Sequence, residues 1–69
     1  MTQSGFRIDV HNGDIIVWSA NPGFIAVYYK PQDQPQLLLR HNTRTDDTEI
    51  LAASLRVAND KARELGWIV

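Results

Sequence analysis

The dipeptide Asn12-Gly13 does most to narrow what this chain can fold into. Both residues accept positive φ, as the type I′ turn of a two-residue β-hairpin requires. The runs on either side suit strands. Phe6-Arg7-Ile8-Asp9-Val10-His11 alternates apolar and polar, the period of a half-buried strand. Asp14-Ile15-Ile16-Val17-Trp18-Ser19 is rich in β-formers. A two-residue loop also fixes the register: His11 lies opposite Asp14, Val10 opposite Ile15, Asp9 opposite Ile16, Ile8 opposite Val17 and Arg7 opposite Trp18. Directly paired residues share a sheet face. Face one therefore carries Phe6, Ile8, Val10, Ile15 and Val17, and face two carries Arg7, Asp9, Ile16 and Trp18.

Asn21-Pro22-Gly23 is a second turn signal. Phe24–Tyr29 reads as a third strand, apolar on both sides. Lys30–Pro35 is a polar loop bounded by prolines. Gln36–His41 reads as a fourth strand, although Leu37-Leu38-Leu39 also suits a helix; as a strand it points Leu37 and Leu39 one way, Leu38 and Arg40 the other. From residue 45 the period becomes helical. The expected helix covers 46–65, opened by Asp46 with Glu49 three residues on, and with Thr45 as a competing cap. Leu51, Leu55, Ala58, Ala62 and Leu65 form its apolar stripe. Acids crowd its first turn and Lys61 and Arg63 lie near its end, as the helix dipole favours. Gly66 is a natural stop. Residues 1–5 read as a frayed terminus, and 67–69 as a tail that folds back on the core or adds a short strand. The expected fold is α+β in a single domain, 1–69: an antiparallel β-meander of three or four strands, then one C-terminal helix packed on one sheet face.

Sixty-nine residues lie near the lower limit for independent folding. A chain of this size buries only about 60% of its unfolded surface. Small domains often add disulfides, a metal or a partner. With no cysteine, disulfides, thiolate metal sites and a cysteine nucleophile are excluded. Seven Lys+Arg against eight Asp+Glu leave a net charge of −1, too little to draw the chain to nucleic acid or an anionic membrane from a distance. The polar start, Met1–Gly5, lacks the plan of a signal peptide, so a cytoplasmic location is expected.

One helix covers one face. Face two is then left with Ile16, Trp18, half of the third strand and Leu38, a large apolar area for a monomer. The tail, a second copy or another ligand should cover it. The leading expectation is a non-catalytic interaction module, a homodimer or the subunit of a larger assembly, using Ile16, Trp18 and Leu38. The alternative is weak binding of anions or single-stranded nucleic acid. A simple meander would gather Arg7, Trp18 and Arg40 toward one end of the sheet, followed there by His41, Arg44 and the helix start. Arginine with an aromatic ring can hold phosphate and stack a base, but Asp46, Asp47 and Glu49 oppose an anion at that end.

Asp9, His11 and Asp14 are metal-ligand types close together on a hairpin. Turn chemistry accounts for acids there equally well, so neither a metal nor a cofactor is expected. His11 and His41 should lie at opposite ends of the sheet. No phosphate loop, His-Glu-x-x-His or Gly-x-Ser-x-Gly occurs, and the chain does not read as an enzyme. On the outer helix face Arg56 and Asp60 are spaced to pair.

Strands followed by one helix are similar in outline to the sheet-reading DNA-binding domain that opens some tyrosine recombinases, and to the β-β-β-α-β domain of some antitoxins. No motif of either is present in the chain, and architecture alone does not carry function.

Overall fold

The computed structural model describes residues 5–20 and 23–69. Four strands, β1 (Arg7–His11), β2 (Asp14–Ala20), β3 (Gly23–Tyr29) and β4 (Leu38–Asn42), are followed by one helix, α1 (Thr48–Glu64). The strands form an antiparallel sheet in chain order, β1-β2-β3-β4, so the fold is α+β with a four-stranded meander. The three leucines settle as strand entry, and β4 starts two residues later than expected. The expected fray at 1–5 and the Asn21-Pro22 part of the second turn lie outside the described residues, apart from Gly5.

The first hairpin forms as its sequence requires. Asn12 and Gly13 take φ of 50° and 84°, and all five expected pairs occur, from His11 with Asp14 to Arg7 with Trp18. The second hairpin pairs Ile15 with Tyr28, Val17 with Ala26 and Ser19 with Phe24. Every residue of those three pairs is buried. Face one is therefore the core face, and α1 lies across it over β2. Phe6 adds an edge-to-face contact with Phe24, ring centroids 6.3 Å apart. Burying side chains such as Ile15 and Val17 stabilises the fold by about 1.5–3 kcal/mol each.

The helix bears out the expected stripe in part: Ala58 and Ala62 are buried and Leu51 packs against the core, but Ser54 joins them while Leu55 and Leu65 do not. Its buried residues are Ser54, Ala58 and Ala62. Leu55 and Leu65 point outward, 42% and 40% exposed. Small residues let the helix backbone approach β2 closely, and a hydroxyl bond holds it there. Ser54 Oγ donates to the Leu51 carbonyl at 2.9 Å. Having spent its one proton, it accepts from Tyr28 Oη at 2.7 Å. A buried tyrosine hydroxyl normally requires such a partner.

The helix ends also differ slightly from expectation. Asp47, not Asp46, is the N-cap: its Oδ1 accepts from the amides of Glu49 and Ile50 at 3.0 and 3.3 Å. Thr45 Oγ1 accepts from the Asp47 amide instead. The cap needs extended backbone, which Asp47 has at φ −85° and ψ 98°. At the other end Gly66 adopts φ 80°. Its amide donates to the Arg63 carbonyl, and that of Trp67 to Ala62. This pair of bonds is a Schellman motif. On the outer face Asp60 pairs with Arg63 rather than Arg56, and Lys61 with Glu64.

Ser54→Ala strands the Tyr28 hydroxyl and should cost about 1–3 kcal/mol in denaturant unfolding. The double variant with Tyr28→Phe should lose less than the sum of the two single changes. Ala58→Leu should cost about 1–3 kcal/mol by overpacking, whereas Leu55→Gln should stay within about 0.5 kcal/mol of the wild type. The reverse order would place the core on the leucine stripe.

Candidate functional site

The face of the sheet away from the helix is set by the same registers. Its central rows are Arg7-Trp18-Ile25 and Asp9-Ile16-Val27-His41, and its third row is His11-Asp14-Tyr29-Leu38. Trp18, Ile16, Val27 and Leu38 are half-buried by their neighbours alone, and Ile25 is 38% exposed. No helix or tail lies over this face among the described residues. Trp67 and Ile68 pack against the buried cluster on the helix side, so the tail does not cover Trp18. What shields the indole is Arg7, whose guanidinium carbon sits 5.8 Å from the ring centroid. Ile25, Val27 and Tyr29 belong to this face as well. The sequence alone does not assign them, because Asn21-Pro22-Gly23 allows more than one loop length and so more than one β3 register.

The arginines do not gather as expected. The register slips between Val27 and Tyr28, which pair with His41 and Leu39. Arg40 is the extra residue of this β-bulge. A bulge re-aims a side chain, and Arg40 reaches away from Trp18. Its Nη2 lies 3.2 Å from Asp14 Oδ1, and its guanidinium carbon 4.2 Å from the Tyr29 ring centroid. Arg7 and Trp18 are therefore at one end of the sheet, and Arg40 toward the other with Tyr29 and Asp14. Arg44 does return to the Trp18 end: Thr43 just before it exchanges bonds with Ile25, donating its amide to the Ile25 carbonyl and accepting from the Ile25 amide at Oγ1.

The two histidines also sit differently. His41 lies in the row of Asp9 and His11 in the next one. They are separated across the width of the sheet, not at opposite ends of its length. Asp9, His11 and Asp14 share face two, but Asp14 is engaged by Arg40. Among the described residues no three His, Asp or Glu side chains converge as a metal site would need. No helix among them is long and apolar enough to cross a membrane.

Two further depressions lie on the helix side. An apolar groove of about 290 Å3 runs between β4 and the start of α1, floored by Tyr28 and walled by Leu39 and Leu55. It exists because the helix sits over β2 and leaves β4 uncovered, with Leu39 47% exposed. The other, about 380 Å3, separates the Lys30–Pro35 loop from Trp67, Ile68 and Val69. Neither collects nucleophile, base and acid together.

No protein-family model, no curated protein and no solved structure matches this chain.

With Trp67→Phe as background, Trp18 becomes the sole indole. In that background Arg7→Gln should shift its emission to longer wavelength and increase acrylamide quenching. An unchanged spectrum would mean that Arg7 does not shield the ring.

Proposed function

We propose that this chain is a non-catalytic interaction module, a homodimer or the subunit of a larger assembly, acting in the cytoplasm and making contact through face two. The observation that supports this is the pair of apolar rows, Trp18-Ile25 and Ile16-Val27, with no element over them among the described residues. Leu38 extends the patch at the β4 side. The size of the chain argues the same way. One helix and one sheet face form the core, and a second apolar face gains from being covered. A protein surface suits the patch because aromatic and aliphatic side chains lie at its centre while Arg7, Asp9, Arg40 and His41 lie around it, the arrangement of an apolar centre with a polar rim. A cytoplasmic setting fits a chain with no cysteine, which gains nothing from an oxidising compartment.

The nucleic-acid alternative now has less to draw on. Only Arg7 and Arg44 lie at the Trp18 end, Arg7 is already stacked on the ring, and the net charge is −1.

Sedimentation at micromolar concentration should show species heavier than the 7.8 kDa chain, or a complex with a protein partner. Replacing Ile25 and Leu38 together by serine should weaken that association about tenfold or more, the scale of apolar contacts at an interface centre. Association indifferent to both changes would remove face two from the reading. A labelled single-stranded oligonucleotide at low salt, where phosphate contacts are strongest, should not bind. Saturable binding that quenches Trp18 would favour the alternative.

A further inference from the structure

The two edges of the sheet are treated differently by the sequence. Open edges invite pairing, and natural sheets blunt them with charge, proline or a bulge. The β4 edge has its bulge, with Arg40 as the inserted residue. The β1 edge has no proline and an unbroken register, and its two charged side chains, Arg7 and Asp9, are of opposite sign, so they suit a reversed copy of the same strand. Nothing pairs with its outer side among the described residues. Val10, though on the helix side of the sheet, is 41% exposed there.

The backbone phase of β1 follows from two separate observations. In a two-residue hairpin the turn bond joins the closing residues, here His11 and Asp14, which makes them a hydrogen-bonded pair. Bonded and non-bonded pairs alternate along antiparallel strands. Asp9 and Arg7 therefore also bond to β2, while Phe6, Ile8 and Val10 direct their N–H and C=O groups outward. The far side of the sheet gives the same phase. Ile25 bonds outward to Thr43, so Trp18 opposite it turns its backbone to β1, where it meets Arg7.

We propose that a second copy of this chain pairs antiparallel with β1 about a two-fold axis at Ile8, making one continuous eight-stranded sheet. It rests on the interaction-module reading above, but uses the strand edge and not face two. In this register Ile8 meets the partner's Ile8, and Phe6 meets the partner's Val10. These are the residues whose backbone groups point outward, so they form the hydrogen-bonded pairs. Arg7 meets the partner's Asp9 twice by symmetry, in non-hydrogen-bonded pairs, where side chains come closest. The axis stands perpendicular to the sheet, so both helices lie on the same side and the apolar edge residues pack together beside them. Such an isologous contact is the common form of a two-fold dimer, and a net charge of −1 does not oppose it.

Neighbouring registers are worse. Centring on Asp9 sets acid against acid, and centring on Arg7 sets arginine against arginine; like charges directly opposite are destabilising. Centring on Val10 puts Ile8 against Asn12 and runs the ladder into the turn. Among these centres, Ile8 alone matches charge, apolarity and backbone phase together.

The test uses the full chain and two charge reversals. Arg7→Asp leaves acids at both positions, and Asp9→Arg leaves arginines at both. Each alone should self-associate about tenfold or more weakly, because two reciprocal attractions become repulsions. An equimolar mixture should recover a heterodimer, since every opposed pair is again of unlike charge. A defect in either monomer could not produce that recovery, and circular dichroism of each reversal checks that it is folded. Val10→Pro removes an outward amide and leaves the β2 ladder intact; it too should dissociate the dimer while circular dichroism stays unchanged. Reversals that sediment like wild type, a mixture that does not recover, or a wild type that is always monomeric would overturn the proposal. The serine pair at Ile25 and Leu38 separates it from the face-two reading. If those serines dissolve the dimer and the charge reversals do not, the edge pairing fails and face two stands. The reverse result supports the edge and removes face two as the self-contact.

Discussion

The hydrogen bond that closes the Asn12-Gly13 turn sets the phase of the whole sheet. Once His11 and Asp14 are paired, each later residue of β1 and β2 has its face and its backbone direction assigned. Strand β3 inherits that phase through the Ile15–Tyr28 and Val17–Ala26 pairs. The core is the consequence: Ile15, Val17, Phe24, Ala26 and Tyr28 are all buried on one side. A slip of one residue would turn all of them to the other face, and the left-handed conformations at positions 12 and 13 are what prevent it.

The seating of the helix depends on a smaller set of contacts. Ala58 and Ala62 allow close approach, and Ser54 joins the helix to Tyr28. The helix then sits over β2 and leaves β4 without a cover on that side. One seating choice thus explains two surface features, the exposed Leu39 and the apolar groove beside Leu55.

Much of this architecture was legible in the chain. The first hairpin could be read to the residue because a two-residue I′ turn admits one register. Gly66 could be read as a stop because a left-handed terminus favours glycine. The helix stripe could be read only at Leu51, Ala58 and Ala62. Leu55 and Leu65 outweigh Ser54 in any apolar pattern, and only the need of Tyr28 for a buried hydroxyl partner would have pointed to Ser54. Adjacent acids at 46 and 47 are chemically equivalent as caps, so the choice between them waits on backbone conformation. The candidate face was legible at Ile16, Trp18 and Leu38, and open in β3, whose register the second turn does not fix. A bulge has no sequence signature here. Without it Arg40 extrapolates to the Trp18 end, whereas its charge is taken up by Asp14 and its plane by Tyr29.

The cap at Gly66 has an effect beyond the helix it ends. Its φ of 80° turns the chain so that Trp67 donates its amide back to Ala62 and lies against the core. The tail is thereby committed to the helix side of the molecule. It also stands against the Lys30–Pro35 loop, so one backbone angle at Gly66 sets a wall of the depression between loop and tail, at a residue that does not line it.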